Sequence, residues 1–127
     1  MGHKNLVKAV LIFLTLTPLS SLSWFETGKS LLDKCESENN VNFGSCIGYV
    51  KGMADAHDTV VGSSGTEPAF CLPDEITTGE LHTTIVESLK LDAEALSLAA
   101  SGLVIKALYD AYPALSQDDG PFYCLEK

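Results

Sequence analysis

From Thr27 onward the apolar positions recur every three or four residues and almost never every second one, which is the spacing of a helix face rather than a strand face. The pattern predicts an all-α chain, a small bundle of about four helices. Thr27 is a candidate N-cap for a first short helix that carries Leu31, Leu32 and Cys35 on one face and dissolves into the polar residues 36–42. A second helix is expected from near Ser45, with Val50, Met53, Ala54, His57 and Val61 forming an apolar stripe. Gly48, Gly52 and Ala56 make a smooth ridge on the same helix. An interior helical glycine costs about 1 kcal/mol relative to alanine, so two of them predict a closely packed neighbour there.

Residues 62–75 are rich in turn formers and read as a loop, longer than the usual connection of about 4–6 residues. Thr77-Thr78-Gly79-Glu80 is a capping box, flanked by Ile76 and Leu81 at hydrophobic-staple positions. The third helix then places Leu81, Ile85 and Leu89 at intervals of four and ends near Leu91. A fourth is predicted over 93–112, stopped by Pro113. Leu96, Ala99, Ala100, Leu103, Val104, Ala107 and Leu108 make it apolar around most of its circumference, as for a central helix. The tail after Pro113 is turn-like and leads to Cys124.

The first residues change the setting. Lys4 and Lys8 precede an apolar run leading to Pro18 and the small residues Ser20, Ser21 and Ser23, the order of a cleavable signal peptide over 1–23, too short in its apolar core to span a bilayer. The mature domain would be 24–127, starting at Trp24, in an oxidising compartment with no membrane insertion after cleavage. Its four cysteines, Cys35, Cys46, Cys71 and Cys124, are then expected to form two disulfides, which can pair in three ways. The pairing expected here is Cys46 with Cys71, the long loop doubling back, and Cys35 with Cys124, tying down the first helix.

Without Lys4 and Lys8 the mature chain holds 6 lysines, no arginine and 17 acidic residues, a net charge of −11. Nucleic acids and anionic membranes are recognised by clustered basic residues, so neither is an expected partner; a basic protein is. A metal site would need close Cys or His pairs, and none exists in the sequence. Only His57 and His82 could serve catalysis. His57 falls on the apolar stripe as a packed or hydrogen-bonded core residue, and His82 reads as an ordinary surface residue. With no nucleophile, base and orienting group together, and no phosphate-binding glycine loop, neither an enzyme nor a cofactor is expected.

Three segments carry a resemblance: Gly28-Lys29-Ser30-Leu31-Leu32-Asp33-Lys34-Cys35, the helix from Cys46-Ile47-Gly48-Tyr49 through Gly52 to Asp55-Ala56, and Phe70-Cys71-Leu72-Pro73. With the alanine-rich last helix ending in Pro113, they resemble the Rap/Tai family over most of 28–113. In many members the last cysteine directly follows that proline, whereas here Ala114 follows it and Cys124 comes later. The resemblance implies an HdeA-like helical domain acting as a periplasmic immunity protein of the type VI secretion system. It would bind a cognate peptidoglycan amidase with a Cys-His centre, often as a homodimer, and block its cleft with surface loops, protecting the cell from its sisters. The competing reading is a periplasmic acid-stress chaperone of the HdeA kind, since 17 carboxylates could be protonated in acid.

Two loops could make the effector contact, 62–69 and 90–95. A flexible loop loses entropy on docking, whereas a short connection held between helices is preorganised, which favours the second. Leu91 would enter the amidase cleft and Asp92 and Glu94 would meet basic groups at its rim, with Lys90 and Ala95 flanking them. The alternative for the same residues is that Leu91 ends the core face of the third helix and Asp92 caps the fourth.

Overall fold

The computed structural model describes residues 25–116, 118 and 120–125. The expected signal segment 1–23 and Trp24 lie outside the described residues. Among the described residues four helices follow one another: α1 (Gly28–Cys35), α2 (Asn40–Ser64), α3 (Thr78–Leu91) and α4 (Ala100–Ala111), with a 3₁₀ turn (Ala95–Ser97) between the last two. The all-α bundle predicted from periodicity is what forms.

The helix starts follow local chemistry. Thr27 caps α1 by accepting from the Ser30 N–H, and Thr77 caps α3 by accepting from the Glu80 N–H, while Glu80 Oε2 accepts in return from the Thr77 N–H at 2.7 Å. The Thr77 hydroxyl also donates to Glu80 Oε2 at 2.7 Å, and the bonds from the Thr77 N–H and hydroxyl hold the Glu80 carboxyl below its ordinary value. The α2 boundary differs from the sequence expectation. Asn39 Oδ1 accepts from the Val41 and Asn42 N–H groups, so the helix begins at Asn40 within the polar stretch, and it runs to Ser64 before Gly65 closes it in the left-handed conformation at φ 66°.

The early start of α2 also explains why the expected disulfide pairing is wrong. A tight turn over 36–39 folds α2 back on α1, bringing Cys35 to Cys46 with Cα atoms 5.0 Å apart; they are bonded to each other. Cys71 pairs instead with Cys124. The strap after α2 runs beside the tail, its Cys71 N–H donating to the Tyr112 carbonyl at 2.9 Å and Phe70 bridging to Pro113.

One contiguous core unites the helices: Leu31 and Cys35 of α1, Cys46, Val50 and Ala54 of α2, Leu81, Ile85 and Leu89 of α3, and Ala100, Val104, Ala107 and Leu108 of α4, closed by Phe70 from the strap. The expected stripes supply this core, although Met53, His57 and Val61 on α2 are only half-buried. The ridge of Gly48 and Gly52, however, faces open space: a Cβ at either position would meet nothing within 4 Å. The glycine that packing does require is Gly28, where a Cβ would lie 2.4 Å from Leu103 Cδ1 and 3.1 Å from Leu96 Cα.

Candidate partner-binding surface

α4 starts at Ala100, seven residues later than the sequence suggested, and the diverted residues build the surface of interest. At the end of α3, Asp92 turns extended and its Oδ1 accepts from the Glu94 and Ala95 N–H groups, both at 3.1 Å. That Asx-type turn launches the 3₁₀ turn, after which Leu98 and Ala99 run extended and are clamped to the chain before α1. The Gly28 N–H donates to the Leu98 carbonyl at 3.0 Å, the Ala100 N–H to the Glu26 carbonyl at 2.9 Å, and Thr27 bridges to Ala99. Residues fixing their own backbone bonds in extended geometry cannot continue a helix, which is why an apolar helical pattern reaching back to Ala93 did not become one.

The connection therefore stands on two anchors, α3 on one side and the clamp to α1 on the other. Leu91 projects from it, 87% exposed, while Leu89 two residues earlier is 3% exposed in the core. Leu91 is thus not the last core residue of α3. Asp92 caps the connection itself rather than α4, whose first residues have no side-chain cap. Glu94 is exposed beside it. Lys90 pairs with Glu36 at the end of α1, and Lys106 pairs with Asp110 on α4, so both lysines near the connection are engaged by carboxylates. At its base, Leu89, Leu91, Ala95, Leu96 and Leu103 line a cleft of about 220 Å³. The whole presents an apolar tip with an acidic edge on a preformed turn.

The rival segment, residues 62–69, ends α2 and leads into the strap before α3. Its first three residues complete α2, Gly65 caps that helix, and Ala69 is held back to it. His57 Nε2 accepts the Ala69 N–H at 3.0 Å, its ring stacks on Phe70 with centroids 3.9 Å apart, and Phe70 is fully buried. With Nε2 accepting, the ring proton sits on Nδ1 and is directed at Asp58 Oδ1, 3.0 Å away. His57 is the packed, hydrogen-bonded residue expected from its place on the stripe. His82 is not the ordinary surface residue expected: its Nε2 donates to the Cys35 carbonyl at 2.8 Å and its ring meets Phe43, so it ties α3 to the turn between α1 and α2. Sequence spacing carries no signal for such a bond, because the partner is a backbone oxygen 47 positions away.

A family model for the Rap1a immunity proteins matches residues 27–114, which contain all four helices and the connection. The chain belongs to this family. Comparison with curated proteins returns no match. The matched span ends before Cys124, so the Cys71–Cys124 bridge reaches from inside it to the tail beyond. Among the described residues no helix is long and apolar enough to cross a membrane. An immunity protein acts by binding its effector, so the surfaces above are read as contact surfaces.

Proposed function

We propose that this chain is an exported, periplasmic immunity protein that binds a type VI secretion peptidoglycan amidase and occludes its active site with the 90–95 connection. The observation that carries the reading is Leu91: a large apolar side chain held almost entirely in solvent, on a turn already fixed by Asp92 and clamped to α1. A preorganised apolar tip loses little entropy when it enters a cleft, and the carboxylates of Asp92 and Glu94 would steer it to a basic rim. Two disulfides fit an oxidising compartment, and a signal segment over 1–23, removed by cleavage, would direct the export. The test is inhibition of a candidate Cys-His peptidoglycan amidase effector, assayed as release of peptidoglycan fragments with and without the purified immunity protein. Undiminished hydrolysis at stoichiometric excess would refute the reading.

Assembly as a homodimer belongs to the same proposal. The Gly48–Gly52 face of α2 has nothing within 4 Å of its missing side chains, leaving room for a second helix to approach. Light scattering at micromolar concentration is expected to give twice the mass of one chain, and Gly48→Leu is expected to return it to one. A monomeric wild type would remove this part and leave inhibition as a separate question.

A further inference from the structure

The two disulfides occupy opposite environments. Cys35 and Cys46 are 2% and 0% exposed, sealed among Leu31, Val50 and their neighbours. Cys71 is half-buried and Cys124 is exposed, and both line a cleft of about 590 Å³, together with His57, Val61, Leu115 and Leu125. The bonds around the second bridge are also of a different kind. Within the tail, the Leu115 and Tyr123 N–H groups each donate to the other's carbonyl at 2.9 Å. The strap keeps independent ties through His57 to Ala69, through buried Phe70, and through Cys71 N–H to Tyr112.

We propose that Cys71–Cys124 is a thiol–disulfide exchange site, opened by a dithiol oxidoreductase, whose opening frees the tail from the strap while the four-helix body stays folded. A thiolate of the dithiol attacks the Cys124 sulfur, forming a mixed disulfide and expelling the Cys71 thiolate, which takes up a proton. The partner's second thiolate then attacks the mixed bond and releases Cys124 as a thiol. In balance, one dithiol is oxidised to a disulfide and one protein disulfide is reduced to two thiols. The buried Cys35–Cys46 bridge offers no approach to an in-line attacking sulfur. Because Leu115, Cys124 and Leu125 form one wall of the cleft, the redox state of this bridge sets whether the cleft exists.

The experiment is native-state reduction of the wild-type protein with limiting phosphine, followed by alkylation and peptide mass mapping, with helix content followed by circular dichroism. The Cys71 and Cys124 peptides are expected to be alkylated at least about tenfold faster than those of Cys35 and Cys46, with helix content unchanged when the first bridge is fully open. Simultaneous opening of both bridges, or loss of helix with the first, would overturn the proposal. A second arm uses thioredoxin whose resolving cysteine is replaced by serine. It is expected to be trapped as a mixed disulfide on Cys124; selective reduction by phosphine without trapping would mean an accessible bridge that is no exchange site, and would also overturn it.

Discussion

Leu89 and Leu91 sit two residues apart at the end of one helix, and the same substitution in each should have opposite consequences. Leu91 is 87% exposed, so Leu91→Ala removes almost nothing that folding had buried, and unfolding free energy should change by no more than about 0.5 kcal/mol. If the side chain enters the amidase cleft, the same substitution forfeits the burial of a leucine on binding. That is about 1.5–3 kcal/mol, or a roughly 10- to 150-fold weaker inhibition constant at about 1.4 kcal/mol per decade. Leu89→Ala should behave in reverse. It opens a hole beside Ile85 and Leu103 at a position 3% exposed, which costs about 2–5 kcal/mol of stability, while folded protein should inhibit as before unless the connection shifts. Denaturant unfolding and titration of amidase activity, run on the same preparations, give both numbers. Full inhibition by Leu91→Ala at wild-type stability would refute the assignment of the tip, and a large stability loss would refute the exposure from which it was drawn.

Loop closure ranks the two bridges: the Cys71–Cys124 loop of 53 residues should contribute about 4 kcal/mol and the Cys35–Cys46 loop of 11 about 3, read as midpoint shifts of the paired serine variants. The carboxyls of Glu80 and Glu26 both titrate below the ordinary value of 4.5 when folded. In Glu26, burial raises the value but hydrogen bonds from Lys34 and Ser30 and the Lys34 charge outweigh it. Their stabilisation is therefore complete above pH 4.5 and lost as pH falls through the lower folded-state values, so Glu80→Gln should flatten the acid limb of a stability–pH curve. Gly28→Ala should destabilise by about 1–3 kcal/mol and also weaken inhibition, because the added carbon meets Leu96 backbone that cannot rotate away; unchanged unfolding would show that the clamp yields freely.

What the sequence disclosed and withheld divides along a physical line. Local rules were legible: the Thr27 and Thr77 caps, the core stripes through Leu81, Ile85 and Leu89, and the place of His57 on its stripe. Features set by non-local backbone bonds were not. The apolar residues from Ala95 to Ala99 have the composition of a helix, but Leu98 and Ala99 are committed to Gly28 and Thr27, and that competition is invisible along the chain. The disulfide pairing failed for a related reason, since moving the start of α2 from Ser45 to Asn40 brings Cys46 back alongside Cys35. Entropy disfavoured the 62–69 segment as an interface on the premise that it was loose. Gly65 caps α2 and His57 holds Ala69, ties that a reading along the chain does not show, whereas the exposed large apolar side chain, Leu91, belongs to the other segment.

The glycines make the same division inside one motif and connect it to function. Gly28, Gly48 and Gly52 all belong to the segments by which the chain resembles its family, yet they answer to different constraints. At Gly28 the backbone of α1 approaches Leu96 so closely that any side chain would push the 3₁₀ turn away. That turn is the far anchor of the connection presenting Leu91. The requirement for glycine there is thus a requirement for the shape of the proposed inhibitory tip, transmitted through Leu96 and the Leu98 carbonyl. At Gly48 and Gly52 nothing inside the chain asks for the absence of a side chain, although each costs helix stability of about 1 kcal/mol. The proposed dimer contact would supply a reason from outside the chain, since both positions are exposed on α2.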